Sequence, residues 1–203
     1  MKQSFKSALS IGTGMVVATG FVLAPAIASA DTKTASTTIN ANVGSTISIT
    51  TSGTVALPIT PTGSGSASSK ADTVTVNTNN ATGYTLQLAN TSATVGTLGN
   101  GTDTLAAASG TFAAPAALGN NSWGYHVDGL PGFTGTASEE TNVTSLTGLW
   151  AKVPLSASPD QIKSTSSTAT NDVTTVWYGA MADTTKSNGI YTGSVTYTAT
   201  TKP

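Results

Sequence analysis

The chain has 203 residues, with eight lysines, nine acids, one histidine, no arginine and no cysteine, for a formal net charge of −1. Charged residues make up 8%, against about 25% in an ordinary soluble domain, so the basic footprint on which nucleic-acid binding rests is missing. The absence of cysteine excludes disulfides, thiolate nucleophiles, zinc fingers and iron–sulfur sites. Long surface helices are equally excluded, because the side chains that clothe them are scarce, while 64 residues are Thr or Ser.

The N-terminus carries Lys2 and Lys6, then an apolar stretch densest over 15–18 and 21–24, then Ala28-Ser29-Ala30 ahead of Asp31. A positive start, an apolar middle and an A-x-A end predict a secretory signal over 1–30. Cleavage would leave a 31–203 domain with six lysines against nine acids. The expected product is exported, has no membrane span after cleavage, and carries no lipid-accepting cysteine or C-terminal anchor. Its expected place is extracellular, at the cell envelope.

From there the pattern is period two. Strands are predicted over 38–43, 46–50 and 73–77. After the turn-rich Asn77-Thr78-Asn79-Asn80-Ala81-Thr82-Gly83, another is predicted over 84–89. Residues 61–69 read as a flexible Gly/Ser linker. The Thr, Gly, Ala and Ser stretch 91–121 reads as a long loop, with a short helical turn over 113–117 limited by Pro115. Further strands are predicted over 124–127, 150–155 and 173–181. The last, 191–200, alternates Tyr191, Gly193, Val195, Tyr197 and Ala199 with threonine and serine. Threonine suits such a half-wet pleated surface. Short strands, Gly/Pro turns and no amphipathic helix predict an all-β fold: one antiparallel β-sandwich, Ig-like or jelly-roll-like, with long Gly/Ser/Thr/Ala loops.

Chemistry is sparse. A catalytic triad would have to run through His126, with Asp128 on the same strand face and Ser122 four residues back. No Gly-x-Ser-x-Gly elbow supports it, and a surface or loop-edge position is the ordinary expectation for His126. Asp103, Asp128, Glu139, Glu140, Asp160, Asp172 and Asp183 lack the spacing of a calcium loop. The adjacent Glu139 and Glu140 would face opposite ways on a strand. No catalytic residue, metal or cofactor is expected. The large aromatics read mainly as core, and those that remain outside would be ligand-binding residues: Trp123, Tyr125, Trp150 and Trp177. Near the free end, Ile39, Ala41 and Val43 alternate with Asn40 and Asn42, which makes self-association through an N-terminal strand possible beside a cell-surface or cell-wall polymer as partner.

Several stretches carry a family resemblance: Val74-Thr75-Val76-Asn77 running to Tyr84-Thr85-Leu86, Asn121-Ser122-Trp123-Gly124-Tyr125, Leu149-Trp150-Ala151-Lys152-Val153-Pro154, Val176-Trp177-Tyr178-Gly179-Ala180 and the alternating C-terminal run. They resemble secreted Thr-rich surface proteins of small-genome, candidate-phyla bacteria of the Saccharibacteria type, and the resemblance spans nearly all of 31–203. It implies an exported β-sandwich of the cell envelope. Residues 74–88 also resemble the first motif of WxL cell-wall-binding domains, with Tyr84-Thr85-Leu86 in place of Trp-x-Leu; the second Trp-x-Leu has no counterpart here. The function these readings imply is a non-enzymatic structural or adhesive surface protein. A carbohydrate- or cell-wall-binding module is the first alternative, and a secreted hydrolase the second.

Overall fold

The computed structural model describes residues 32–203, so the expected signal segment 1–30 lies outside the described residues. The chain divides into an N-terminal unit ending at Asn42 and a compact unit, Val43–Pro203. Residues 32–42 contain no strand and are exposed throughout. The strand expected over 38–43 is therefore not formed, although its alternation is right; an unpaired strand is not stable in water.

The compact unit is all-β; among the described residues there is no helix, and none is long and apolar enough to cross a membrane. Its ten strands are β1 (Ile47–Thr50), β2 (Ser66–Thr78), β3 (Tyr84–Asn90), β4 (Leu98–Gly99), β5 (Thr104–Ala107), β6 (Ser122–His126), β7 (Glu140–Val143), β8 (Asp160–Ser164), β9 (Ala169–Ala182) and β10 (Val195–Thr201). A seven-stranded sheet runs β1-β2-β9-β6-β5-β4, with β7 pairing β2 beside β1's stretch of it, and a three-stranded sheet runs β10-β3-β8. Side chains from both sheets meet in one core: Val74 and Val76 of β2, Tyr84, Leu86 and Leu88 of β3, Tyr125 of β6, Ile162 of β8 and Val176 of β9. The two long strands β2 and β9 form the backbone of the unit, paired antiparallel from Ser66↔Ala182 to Thr78↔Ala169 with one bulge.

Four further expectations are corrected. Pairing is not wholly antiparallel, since β5 joins β6 in parallel through Ala106↔Ser122 and Ala107↔Trp123. The linker expected over 61–69 is half strand: Ser66, Ser68 and Ser69 are buried in β2. Small hydroxyl side chains fit where neighbouring backbone packs close, and they are satisfied there, Ser68 Oγ donating to Pro58 O at 2.6 Å and Ser69 Oγ to Ser138 O at 2.7 Å. The strand expected over 150–155 reduces to isolated bridges, Trp150 to Ala116 and Ala151 to Tyr125. No helical turn forms over 113–117, where Thr111 and Ala114 close a tight turn on each other.

Two strand glycines explain how that bridge segment docks. Gly124 and Gly179 lie directly opposite each other in β6 and β9, leaving a bare patch on the sheet. A Cβ at Gly124 would sit 2.5 Å from Ala151 O, and one at Gly179 would sit 2.5 Å from Leu146 Cδ1 and 2.8 Å from the Trp150 ring. Glycine in a strand marks such a close approach. Here it lets Ala151 bridge the edge of β6 at Tyr125 and the Trp150 ring lie over Gly179.

Candidate functional site: a groove over a sealed aromatic core

His126 ends β6 and is fully buried, which corrects the expected surface or loop-edge position. Alternation along β6 puts it on the face opposite Tyr125, beside Trp177 of β9, where its ring packs edge-on to Phe133 at 5.4 Å and against Trp150 at 5.8 Å. Its Nδ1 lies 2.8 Å from Leu149 O, and since a carbonyl only accepts, Nδ1–H donates. Its Nε2 lies 2.9 Å from Asp128 Oδ1. Asp128 also accepts from Ala137 N at 3.0 Å and from Trp177 Nε1 at 3.2 Å. Burial pushes that carboxyl up, but the bonds from Ala137, His126 and Trp177 outweigh it and hold Asp128 below its ordinary value. The same-face placement of His126 and Asp128 was legible in the sequence. Ser122 does not join them: its hydroxyl donates to Gly119 O at 2.6 Å. Both ring nitrogens are thus engaged in pinning the 127–149 loop to β6.

The four aromatic candidates separate. Trp123, Tyr125 and Trp150 have relative exposures of 3%, 0% and 0%, so none offers a ring face to a ligand. Trp177, on the opposite face of β9 from Tyr178, is half-buried with its indole held by Asp128. The reason is volume: in a domain of Thr, Ser, Ala and Gly, the aromatics are the side chains large enough to fill the space between sheets.

Two of the sealed rings nevertheless position a surface feature. Trp123 Nε1 donates to Gly96 O at 2.9 Å and Tyr125 OH to Asp160 Oδ2 at 2.8 Å. Gly96 and Asp160 both line an open groove of about 670 Å³, within the size range of small-ligand sites. One wall is the 94–96 loop; a second is residues 107–113 with Phe112; the third is 152–160 with Lys152, Val153, Pro154, Leu155 and Ser158. Backbone bonds knit the walls together: Asn90 N to Pro154 O, Ser156 N to Ser92 O and Lys152 N to Gly110 O, at 2.7, 3.2 and 2.9 Å. Phe112 is half-buried and stands 6.0 Å from Phe133, which in turn packs tilted against Tyr125 at 5.6 Å. The groove is therefore the outer end of an aromatic chain that runs inward to His126.

Its electrostatics come from two side chains. Burial pushes the Asp160 carboxyl up, against the Tyr125 hydrogen bond and the Lys152 charge, which pull it down. Burial, then the Asp160 charge and hydrogen bond, push the Tyr125 phenol well above its ordinary value, so it stays a donor. Little in the sequence marks this site, because its walls come from three separated loops and only Phe112 stands out in composition. Among the described residues, no group of three or more His, Asp or Glu side chains is placed to hold a metal. No family model, curated protein or solved structure matches the chain.

Proposed function

We propose that this chain is an exported, non-enzymatic cell-surface protein whose sandwich-like domain does structural or adhesive work by holding a surface polymer in the Phe112–Asp160 groove. The observation that supports the reading is the groove's composition. It combines an aromatic ring and aliphatic side chains with the hydroxyls of Thr94, Thr111 and Ser158, one lysine and one half-buried carboxylate. Such a lining suits a weakly charged, hydroxyl-rich chain, with the ring contributing stacking area and the polar groups orientation. The signal-like N-terminus supports export.

A carbohydrate- or cell-wall-binding module is the second reading, and the same Phe112 beside Asp160 and Lys152 favours it. In that case binding is the whole task rather than a means of attachment. The test is cell fractionation followed by a pull-down of the purified protein on isolated cell walls and on host-cell surfaces. Envelope localisation with retention on walls or cells supports the proposal. A protein found only in the cytoplasm, or one retained on neither surface, refutes it.

A further inference from the structure

An edge strand with unpaired N–H and C=O groups is a template for another strand, and proteins blunt such edges with charge, proline or shortness. Most edges of the compact unit are blunted. The terminal strand β4 has two residues and β1 has four. β7 carries Glu140, whose carboxylate binds Thr147, beside Glu139 paired with Lys70. β8 carries Asp160 and Lys163, the latter paired with Asp172. β10 is the exception: seven residues, Val-Thr-Tyr-Thr-Ala-Thr-Thr, without charge, proline or glycine, paired only with β3.

The face of β10 that turns to the core is also incompletely covered. Val195, Tyr197 and Ala199 are only half-buried, as are Ile47 and Ile49 on β1, which approaches β10 without pairing with it. The chain holds a segment of matching character. Residues 38–44 carry no charge, Ile39 is 88% exposed and Val43 is 81% exposed. Set beside β10, Ile39, Ala41 and Val43 fall on one face, next to Val195, Tyr197 and Ala199, while Asn40 and Asn42 fall with the threonines. At the domain's entry the chain runs extended into β1: Gly44 O accepts from the Asn79 amide at 2.8 Å, and Thr46 N donates to the same amide's oxygen at 2.7 Å.

We infer that residues 38–44 of one copy add as a strand to the β10 edge of a second copy. Donor and acceptor are different patches, so the contact is heterologous and propagates head to tail rather than closing as a two-fold dimer. This inference does not depend on what the groove binds.

The test uses the protein as purified from a secreting host. Sedimentation equilibrium over a hundredfold concentration range is expected to show a mass that rises stepwise with concentration. The double variant Ile39→Asp with Val43→Asp is expected to stay monomeric at every concentration with an unchanged melting temperature. A labelled peptide of residues 35–45 is expected to bind that monomer, with chemical-shift changes centred on 195–201. A wild type that is monomeric throughout, a variant that still associates, or a peptide that does not bind overturns the inference. So does a variant that melts several degrees lower, because the segment is then packed within its own domain.

Discussion

At the scale of single residues, the buried polar groups determine what substitutions do. As a surface or loop-edge residue, His126 would be replaceable without effect. Its buried position leads to the opposite expectation. His126→Ala removes a ring packed on Phe133 and Trp150 and strips the Leu149 carbonyl and the Asp128 carboxylate of a partner. A loss of about 2–4 kcal/mol in unfolding free energy by urea titration is expected; a change below about 0.5 kcal/mol would show that the ring is not held as described. Thr174 is the converse case. It lies on β9, is 8% exposed, and its hydroxyl finds no hydrogen-bond partner. Thr174→Val keeps the branched shape and removes the orphaned group, so a gain of about 1 kcal/mol is expected. A loss in the same titration would mean that the hydroxyl is satisfied after all.

At the scale of elements, the facing glycines of β6 and β9 carry a sharp expectation. Gly124→Ala drives a Cβ into the Ala151 carbonyl and the Ala108 side chain, and backbone cannot yield as a flexible side chain does. The cost should reach about 3 kcal/mol or more, read as a lowered urea midpoint, whereas Gly101→Ala meets nothing within 4 Å and is strained only by its left-handed backbone, φ +91°. Equal effects at the two positions would contradict the docking of Trp150 and Ala151 on a bare patch. The same elements show what was legible in the sequence. Strands with one wet face, such as β3 and β10, declare themselves by alternating Tyr, Leu or Val with Thr, because their chemistry changes every second residue. The first half of β2 does not, since Ser66, Ser68 and Ser69 are buried for their size, Ser68 and Ser69 being satisfied by the carbonyls of Pro58 and Ser138. β8, Asp-Gln-Ile-Lys-Ser, was hidden by its charged edge. The pairing of His126 with Asp128 followed from period two, but the burial of the His126 ring depends on Phe133, Leu149 and Trp150, which no local spacing connects. The groove was illegible for the same reason.

At the scale of the whole molecule, pH tests the packing of the two sheets. Burial first, and then neighbouring carboxylates or phenols, push Tyr84, Tyr125 and Tyr197 above their ordinary value, and burial also raises Tyr178 against the lowering hydrogen bond with Tyr197. A raised folded-state value means stability that is intact below about pH 10 and lost above it, as the unfolded chain ionises. For fully buried phenols such as Tyr125 the loss is about 1.4 kcal/mol per pH unit for each group. On the acid side, hydrogen bonds from Lys186, Thr104 and Ser187 hold Asp103 down to about 2, and Asp128 and Asp172 are also lowered, their hydrogen bonds outweighing partial desolvation. Their contribution is present above about pH 4 and fades as pH falls through the lowered values. Thermal melts should therefore fall off towards both extremes, steeply above pH 10; a domain that melts unchanged at pH 11 would not have these phenols buried. The central claim is that the Phe112–Asp160 groove holds a surface polymer, and the most direct measurement is a binding isotherm on purified cell walls. The wild type is compared with Phe112→Ala in the groove and with Val173→Ala on exposed β9 surface outside it. Saturable binding is expected, weakened about tenfold or more by Phe112→Ala, a loss of roughly 1.4 kcal/mol or more, and unaltered by Val173→Ala. Equal binding by all three proteins, or none by the wild type, would contradict it.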